Sequence, residues 1–257
     1  MEKIDGKEIA EKIYSRIGDR SKQALKLAVI TVGATKATEA FVAQKKKAAI
    51  RTGIAFKTID LPAEAKTEEV EKELLIASKD AEITALVAQL PFPPQIDKKK
   101  ALAAIAKEKD VDSLNGGPFV SPSVGTVLEI LDYLGKDMAS LNFAVVGHGE
   151  LVGRPIYEFL SNGKAKSAKL FRRGDSLKDL AEEDIVVSGT GNPGLIKPNM
   201  LRDESIIIDF GYGTKEDGKT GGDFSAEESP KNILYTPTPG GTGPILVAKL
   251  FENIISI

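Results

Sequence analysis

The sequence predicts an α/β protein of two lobes, each with its own mostly parallel sheet, and three features carry that expectation. Strand-like and helix-like stretches alternate along most of the chain, a rhythm that implies right-handed crossovers between parallel strands. Apolar runs such as FAVV and IIIDF are continuous and rich in β-branched residues, as in strands covered on both faces. A stretch rich in Gly, Pro and Ser, Ser113–Ser123, separates one run of alternation from a second.

The arithmetic agrees. A chain of 257 residues holds one large or two modest domains and is long enough to bury a substantial core. Hydrophobic residues make up 42% and charged residues 28%, the balance of an ordinary globular protein. Lys and Arg number 35 against 37 acids, a net charge of −2 that makes no case for nucleic acid or a membrane surface as partner. No apolar run approaches the ~20 residues that span a bilayer, and the opening MEKIDGKEIAEKI has no apolar signal core. Zero Cys excludes disulfides, thiolate chemistry and Cys-built zinc sites; with His148 as the one His, no metal site is expected. A cytoplasmic enzyme or binding protein is the expectation.

In the first half, Ile9, Ile13 and Ile17 recur at i+4 within 5–24, the stripe of an amphipathic helix. LKLAVITVG reads as a buried strand, and ATEAFVAQKKKAAIRTG as a helix stopped by Gly53. AFKTIDL, a helix over TEEVEKELLIASKD, the strand TALVAQL and a helix over KKKALAAIAKE continue the rhythm. In the second half, a helix over GTVLEILDYLG leads to the strand NFAVVG and the helix RPIYEFLSNG. The strand AKLFRR, a helix over SLKDLAEE, the strands DIVVSGTG and SIIIDFGYG, and a last amphipathic helix TGPILVAKLFENI complete it. A gap between two such lobes is the default place for a ligand.

Two places point to chemistry. The turn VVGHGELVGRP follows a strand and opens a helix, with Gly147, Gly149 and Gly153 as G-x-G-x-x-x-G, one residue longer than the usual dinucleotide fingerprint. Glycines there let a pyrophosphate approach the backbone, and the helix start offers unpaired N–H groups and partial positive charge; a plain strand–turn–helix uses Gly too. The next strand ends in Arg172 and Arg173, residues suited to the 2′-phosphate of NADP where NAD sites place an acid. Asp175 argues for NAD instead, and both arginines are also what a solvated surface carries. In the first half, Phe41 and Lys45 share a helix face, whereas Lys46 and Lys47 point into solvent. Gln89-Leu90-Pro91 closes a strand at the ligand-facing carboxyl end, where an amide either meets ligand or caps a turn. Asp110-Val111-Asp112 precedes the linker, where a cap is the simpler role. TPTPGGTGP is too rich in Pro and Gly for ordinary loop filler and reads as a rigid path into the last helix.

Taken together, IDGKEIAEKI, FVAQKKKA, VAQLPFP, KDVDSLN, VVGHGELVGRP, DIVVSGTGNPG, IIIDFGYG, GGDF and TPTPGGTGP resemble, in order and over nearly the whole chain, the bifunctional methylenetetrahydrofolate dehydrogenase/methenyltetrahydrofolate cyclohydrolase family of one-carbon metabolism. The resemblance implies a catalytic, folate-binding domain over 1–117 and 240–257 that receives the C-terminal helix. It implies a Rossmann-like NAD(P)-binding domain over 118–239 inserted into it, a folate cleft between the two, and a homodimer. By position it implies that Lys45, Gln89 and Asp112 are catalytic, with Asp112 on the pterin ring. Phe41, Leu90, Pro91, Gly240 and Gly241 are implied at the folate, and Gly147, His148, Gly149, Val152, Gly153, Arg154, Arg172, Arg173, Thr190 and Gly191 at the cofactor. NADP is the expected cofactor, NAD the alternative, and tetrahydrofolate derivatives are the expected ligands.

The chain departs from the family pattern in places. Phe41 stands where the family has Tyr, which keeps ring stacking and loses a hydroxyl; Ser113 stands where D-V-D-G has Gly. SPSVG departs from the family's P-x-T-P-x-G, and His148-Gly149 replaces an Arg-Ser pair, leaving Arg172, Arg173 and Arg154 as the basic groups for phosphate. These departures leave open a member reduced to one activity and a non-catalytic folate or nucleotide binder.

Overall fold

The structure is a computed structural model that describes residues 1–18, 24–226 and 229–257. In chain order its elements are β1 (Glu2–Lys3), α1 (Gly6–Gly18), β2 (Lys26–Val32), α2 (Lys36–Thr52), β3 (Ala55–Leu61), α3 (Thr67–Lys79), β4 (Ala85–Ala88), α4 (Lys98–Leu102) and α5 (Pro122–Tyr133). There follow β5 (Asn142–Val146), α6 (Gly153–Ser161), β6 (Ser167–Phe171), β7 (Ile185–Ser188), β8 (Ile206–Asp209), β9 (Gly213–Thr214), β10 (Thr220–Gly221), β11 (Leu234–Tyr235) and α7 (Thr242–Ile255).

By their contacts these residues form two units: Lys12–Pro122 with Val247–Ile257, and Met1–Glu11 with Ser123–Leu246. The first holds a three-stranded sheet in the order β3-β2-β4, every pairing parallel. Its central strand, KLAVITV, is buried from Leu27 to Val32, which explains why it reads as continuous apolar sequence rather than as an alternation. Ile30, Leu86, Val70, Leu74 and Ile105 are among the side chains of its core. The second unit holds a six-stranded parallel sheet, β1-β11-β8-β7-β5-β6, and a β9–β10 hairpin. Ala144, Val186 and Ile207 of its three central strands pack with Leu180, Ile196 and Phe224.

Differences from the sequence reading have local causes. The helix expected over 98–108 stops at Leu102, because the groups that would extend it are taken: Ser78 Oγ donates to Ala104 O and accepts from Ala106 N, and Asn115 Nδ2 donates to Ile105 O at 3.0 Å. The helix expected over 176–183 is a five-residue 3-10 turn, Lys178–Glu182, too short to offset α-helix nucleation. The expected helix over 5–24 is seen to Gly18, with Ile9, Ile13 and Ile17 all buried; residues 19–23 lie outside the described residues. The lobe expected over 1–117 and 240–257 differs at both ends, since residues 1–11 and 240–246 group with the six-stranded unit. β1 pairs in parallel with β11, Ile4 N donates to Tyr235 O, and Gly6 N donates to Gly240 O. Two-residue strands such as β1 and β11 carry no periodicity by which a sequence could announce them.

Candidate active site

Helix α2 sets the first functional side chain. Thr35 caps its start by accepting from Thr38 N at 3.2 Å, and Gly53, at φ 69°, closes its end in the left-handed conformation that a residue without Cβ adopts at no cost. Thr38, Ala48, Ala49 and Thr52 form its buried face, and Phe41 and Lys45 fall on the same stripe, half-buried. Lys46 and Lys47 are exposed, as their register requires.

Gln89 arrives from the carboxyl end of β4, where its N–H donates to Ile30 O at 2.8 Å; only 7% of the residue is exposed. Lys45 Nζ donates to Gln89 Oε1 at 2.8 Å, while Gln89 Nε2 donates to Leu90 O at 2.9 Å. Both ends of the amide are engaged, so it presents an acceptor to the lysine. Leu90 is buried and Pro91 exposed, joined by a cis peptide bond.

Asp112 lies on a tight loop attached to the same strand. Asp110 bridges to Leu86 of β4, and its carboxylate accepts from Asn115 N at 2.5 Å. Ser113 takes φ 57° inside that loop, a conformation that L side chains disfavour. Asn253 of α7 donates to Val111 O and Val120 O, both at 2.9 Å, tying the loop to the last helix. Desolvation pushes the Asp112 carboxyl up to about 6, against the pull of the Lys45 charge and with a smaller push from Asp110. Desolvation also pulls the Lys45 amine below its ordinary value, opposed by Asp112. Lys45, Gln89 and Asp112, far apart in sequence, therefore form one set of interacting groups in the three-stranded unit. Gly240 and Gly241 lie in the six-stranded unit, where a Cβ on Gly6 would stand 1.7 Å from Gly241 O, so the DGKE and TPGG motifs meet backbone to backbone.

The six-stranded unit carries a cavity of about 610 Å³ at the carboxyl ends of its central strands, the side on which parallel sheets receive ligands. Gly147, His148 and Gly149 line one part of it, Arg172 and Arg173 another, and Thr190 and Asn192 a third. Four further residues of the expected set support the lining instead of joining it. Gly153 abuts the turn so closely that a Cβ there would stand 2.0 Å from Gly147 O. Val152 packs on Gly189, whose added Cβ would stand 2.7 Å from Val152 Cγ1, and Arg154 N donates to Gly149 O at 3.0 Å. Gly191, at φ 69°, makes the bend between Thr190 and Asn192. Asp175 lines the cavity as well, and its Oδ2 accepts from Arg172 N at 2.7 Å. An exposed guanidinium pair, a glycine turn and the start of α6 fit the phosphates of a dinucleotide. Sequence reasoning missed Asn192, although it directly follows the SGTG stretch, and it assigned no role to the Asp of GGDF.

Among the described residues no group of three or more His, Cys, Asp or Glu could hold a metal ion, and no helix is long and apolar enough to cross a membrane. The family model described as tetrahydrofolate dehydrogenase/cyclohydrolase, catalytic domain, matches residues 4–112, and that described as the NAD(P)-binding domain of the same enzymes matches 122–257. The chain is 33% identical over 272 residues to the bifunctional protein FolD of Lactobacillus delbrueckii subsp. bulgaricus, covering 99% of this chain and 96% of that protein. Campylobacter curvus FolD is 33% identical over 274 residues, covering 99% and 95%. Among solved structures, the bifunctional FolD methylenetetrahydrofolate dehydrogenase/cyclohydrolase of Campylobacter jejuni superimposes with a TM-score of 0.91 at 27% identity, covering 99% of this chain and 97% of that one. The Trypanosoma brucei enzyme, solved with NADP cofactor and inhibitor, gives 0.89 at 28% identity, covering 98% and 95%. With both halves matched in order, this chain belongs to the tetrahydrofolate dehydrogenase/cyclohydrolase family.

Proposed function

We propose that this protein oxidises 5,10-methylenetetrahydrofolate to 5,10-methenyltetrahydrofolate with NADP and hydrolyses the product to 10-formyltetrahydrofolate. The observation that carries the reading is the bond from Lys45 Nζ to Gln89 Oε1 at 2.8 Å, with the amine depressed by burial beside Asp112. Burial that lowers the amine's pKa makes its proton easier to give up, and a neutral amide orients the amine without adding a charge beside it.

In the hydrolytic step Lys45 takes a proton from the water whose oxygen bonds to the methenyl carbon. It returns that proton to the folate N5 as the carbon–N5 bond breaks, and the second water proton leaves to solvent as the formyl C=O forms. Asp112, ionised, accepts from the pterin amino group and ring N–H and sets the register of the ring. Phe41 supplies a face for stacking without a hydroxyl, and Leu90, Pro91, Gly240 and Gly241 keep the folate-binding roles expected from the resemblance. In the oxidative step the chain's task is orientation, since hydride transfer needs the reacting carbons in near contact and no strong protein acid. Gly147, His148, Gly149, Thr190 and Gly191 would hold the pyrophosphate side of NADP, and Arg172 and Arg173, with Arg154, its phosphate charges. When bound there, NADP supplies the acceptor for the hydride that leaves the methylene carbon.

The division of labour we propose keeps folate chemistry with Lys12–Pro122 and Val247–Ile257, with Gly240 and Gly241 added, and nucleotide binding with Ser123–Leu246. We also propose a cytoplasmic homodimer: zero Cys fits a reducing compartment, and β6 ends the six-stranded sheet as an edge to which a second copy can add. Following the methenyl absorbance with 5,10-methylenetetrahydrofolate and either NADP or NAD tests the whole reading. Formation followed by decay with NADP is expected; formation without decay removes the hydrolytic step, and no formation removes the oxidative one.

A further inference from the structure

Between β7 and the next ordered stretch, residues 189–194 have little reason to hold one shape. Three of the six are Gly, with Gly191 and Gly194 at positive φ, yet Gly189, Thr190 and Asn192 line the dinucleotide cavity. The structure supplies the missing constraint from a distant part of the chain. Asp223, fully buried just after β10, accepts Ser188 Oγ at 2.5 Å and Thr190 N at 2.7 Å on Oδ2, and Asn192 N at 2.8 Å on Oδ1. Its backbone continues the clamp, since Ile196 N donates to Asp223 O at 2.9 Å and Gly194 N to Gly222 O at 3.0 Å.

A second buried acid holds the clamp itself. Asp209, at the end of β8, accepts Gly211 N at 2.6 Å and Phe224 N at 2.9 Å on its two oxygens. The two acids are interlocked through glycines: a Cβ on Gly211 would stand 2.3 Å from Asp223 Oδ1, and one on Gly222 would stand 2.1 Å from Asp209 Oδ2. Burying two carboxylates side by side costs free energy unless each is saturated with donors. Here each donor that saturates Asp223 belongs to the cavity-lining segment or to the residue leading into it.

We propose that Asp223 is a positioning residue for the NADP site, which tunes cofactor affinity by fixing Ser188–Asn192 without touching the cofactor. The inference rests on the nucleotide reading above. Its test is Asp223→Asn in the full-length chain, a near-isosteric change that replaces one acceptor oxygen by an NH2 facing N–H donors. The loss of a charge-assisted acceptor corresponds to an NADP KM raised about tenfold in the dehydrogenase assay. Hydrolysis of supplied 5,10-methenyltetrahydrofolate without nucleotide uses none of this segment, so its kcat and KM stay at wild-type values. An unchanged NADP KM overturns the proposal, and so does a parallel fall in both activities, which marks a general structural role. If Asp223→Asn is recovered insoluble, Ser188→Ala removes one donor and keeps the carboxylate; a rise of about threefold in NADP KM supports the inference and none overturns it. A wild-type protein that fails to oxidise methylenetetrahydrofolate with NADP removes the functional reading itself, whereas an active wild type with an unaffected variant removes the inference alone.

Discussion

Lys45 Nζ and Gln89 Oε1 stand 2.8 Å apart, and the same amide donates through Nε2 to Leu90 O, so the lysine meets an acceptor that cannot be exchanged for a donor without breaking a second bond. That relationship gives an amine whose pKa is lowered by burial a fixed direction, which is what a base acting on one water requires.

Lys45→Met is expected to lower the cyclohydrolase rate at least about a hundredfold while leaving measurable NADP-dependent oxidation, because only hydrolysis needs the proton carrier. Lys45→Arg restores the charge but not the ability to lose a proton, so hydrolysis stays lost. Separate assays of the two steps check both; hydrolysis near wild-type levels in either variant would falsify the base assignment.

Folate binding should depend on the charge of Asp112. Its carboxyl is pushed up to about 6, so the ionised form that accepts from the pterin is depleted below that pH, and affinity falls by about tenfold per pH unit further down. In Lys45→Met the stabilising positive charge is gone, so the midpoint moves upward. Titration of the folate Kd by fluorescence reads both shifts; a downward shift in the variant contradicts the coupling.

Ser113 sits at φ 57° where the related pattern has Gly. Ser113→Gly relieves the left-handed strain and adds unfolded-state entropy, and the net is expected to be a stabilisation of roughly 0.5–1 kcal/mol. Urea unfolding should show a higher midpoint with an unchanged m-value.

Arg172→Ala and Arg173→Ala should discriminate the cofactors. Loss of a charge-assisted contact to the 2′-phosphate weakens NADP about ten- to a hundredfold and leaves NAD, which lacks that phosphate, nearly unaffected. KM values for both nucleotides decide it, and equal losses for the two would remove the specificity assignment.

Gly153→Ala places a Cβ 2.0 Å from Gly147 O, a backbone atom with no room to yield. A cost of about 1–3 kcal/mol is expected, with dehydrogenase activity lost and hydrolysis kept. A variant with wild-type NADP KM would show that the helix start and the glycine turn need not abut.

Whatever depends on nearest neighbours could be read from the chain itself. The stripe Thr38–Phe41–Lys45–Ala48–Thr52 follows from helical period alone, and the buried strands from runs of β-branched residues. The glycine turn could be located because its backbone shape excludes other residues. What joins distant segments had no such signature. That Asn115 and Ser78 would end α4 early, that two residues at the N-terminus would extend a sheet built from the second half, and that Asp223 would hold the segment after β7 were settled by folding. Hydrogen bonds from buried polar groups take whichever partner the packed chain brings within reach, and that choice is made in three dimensions.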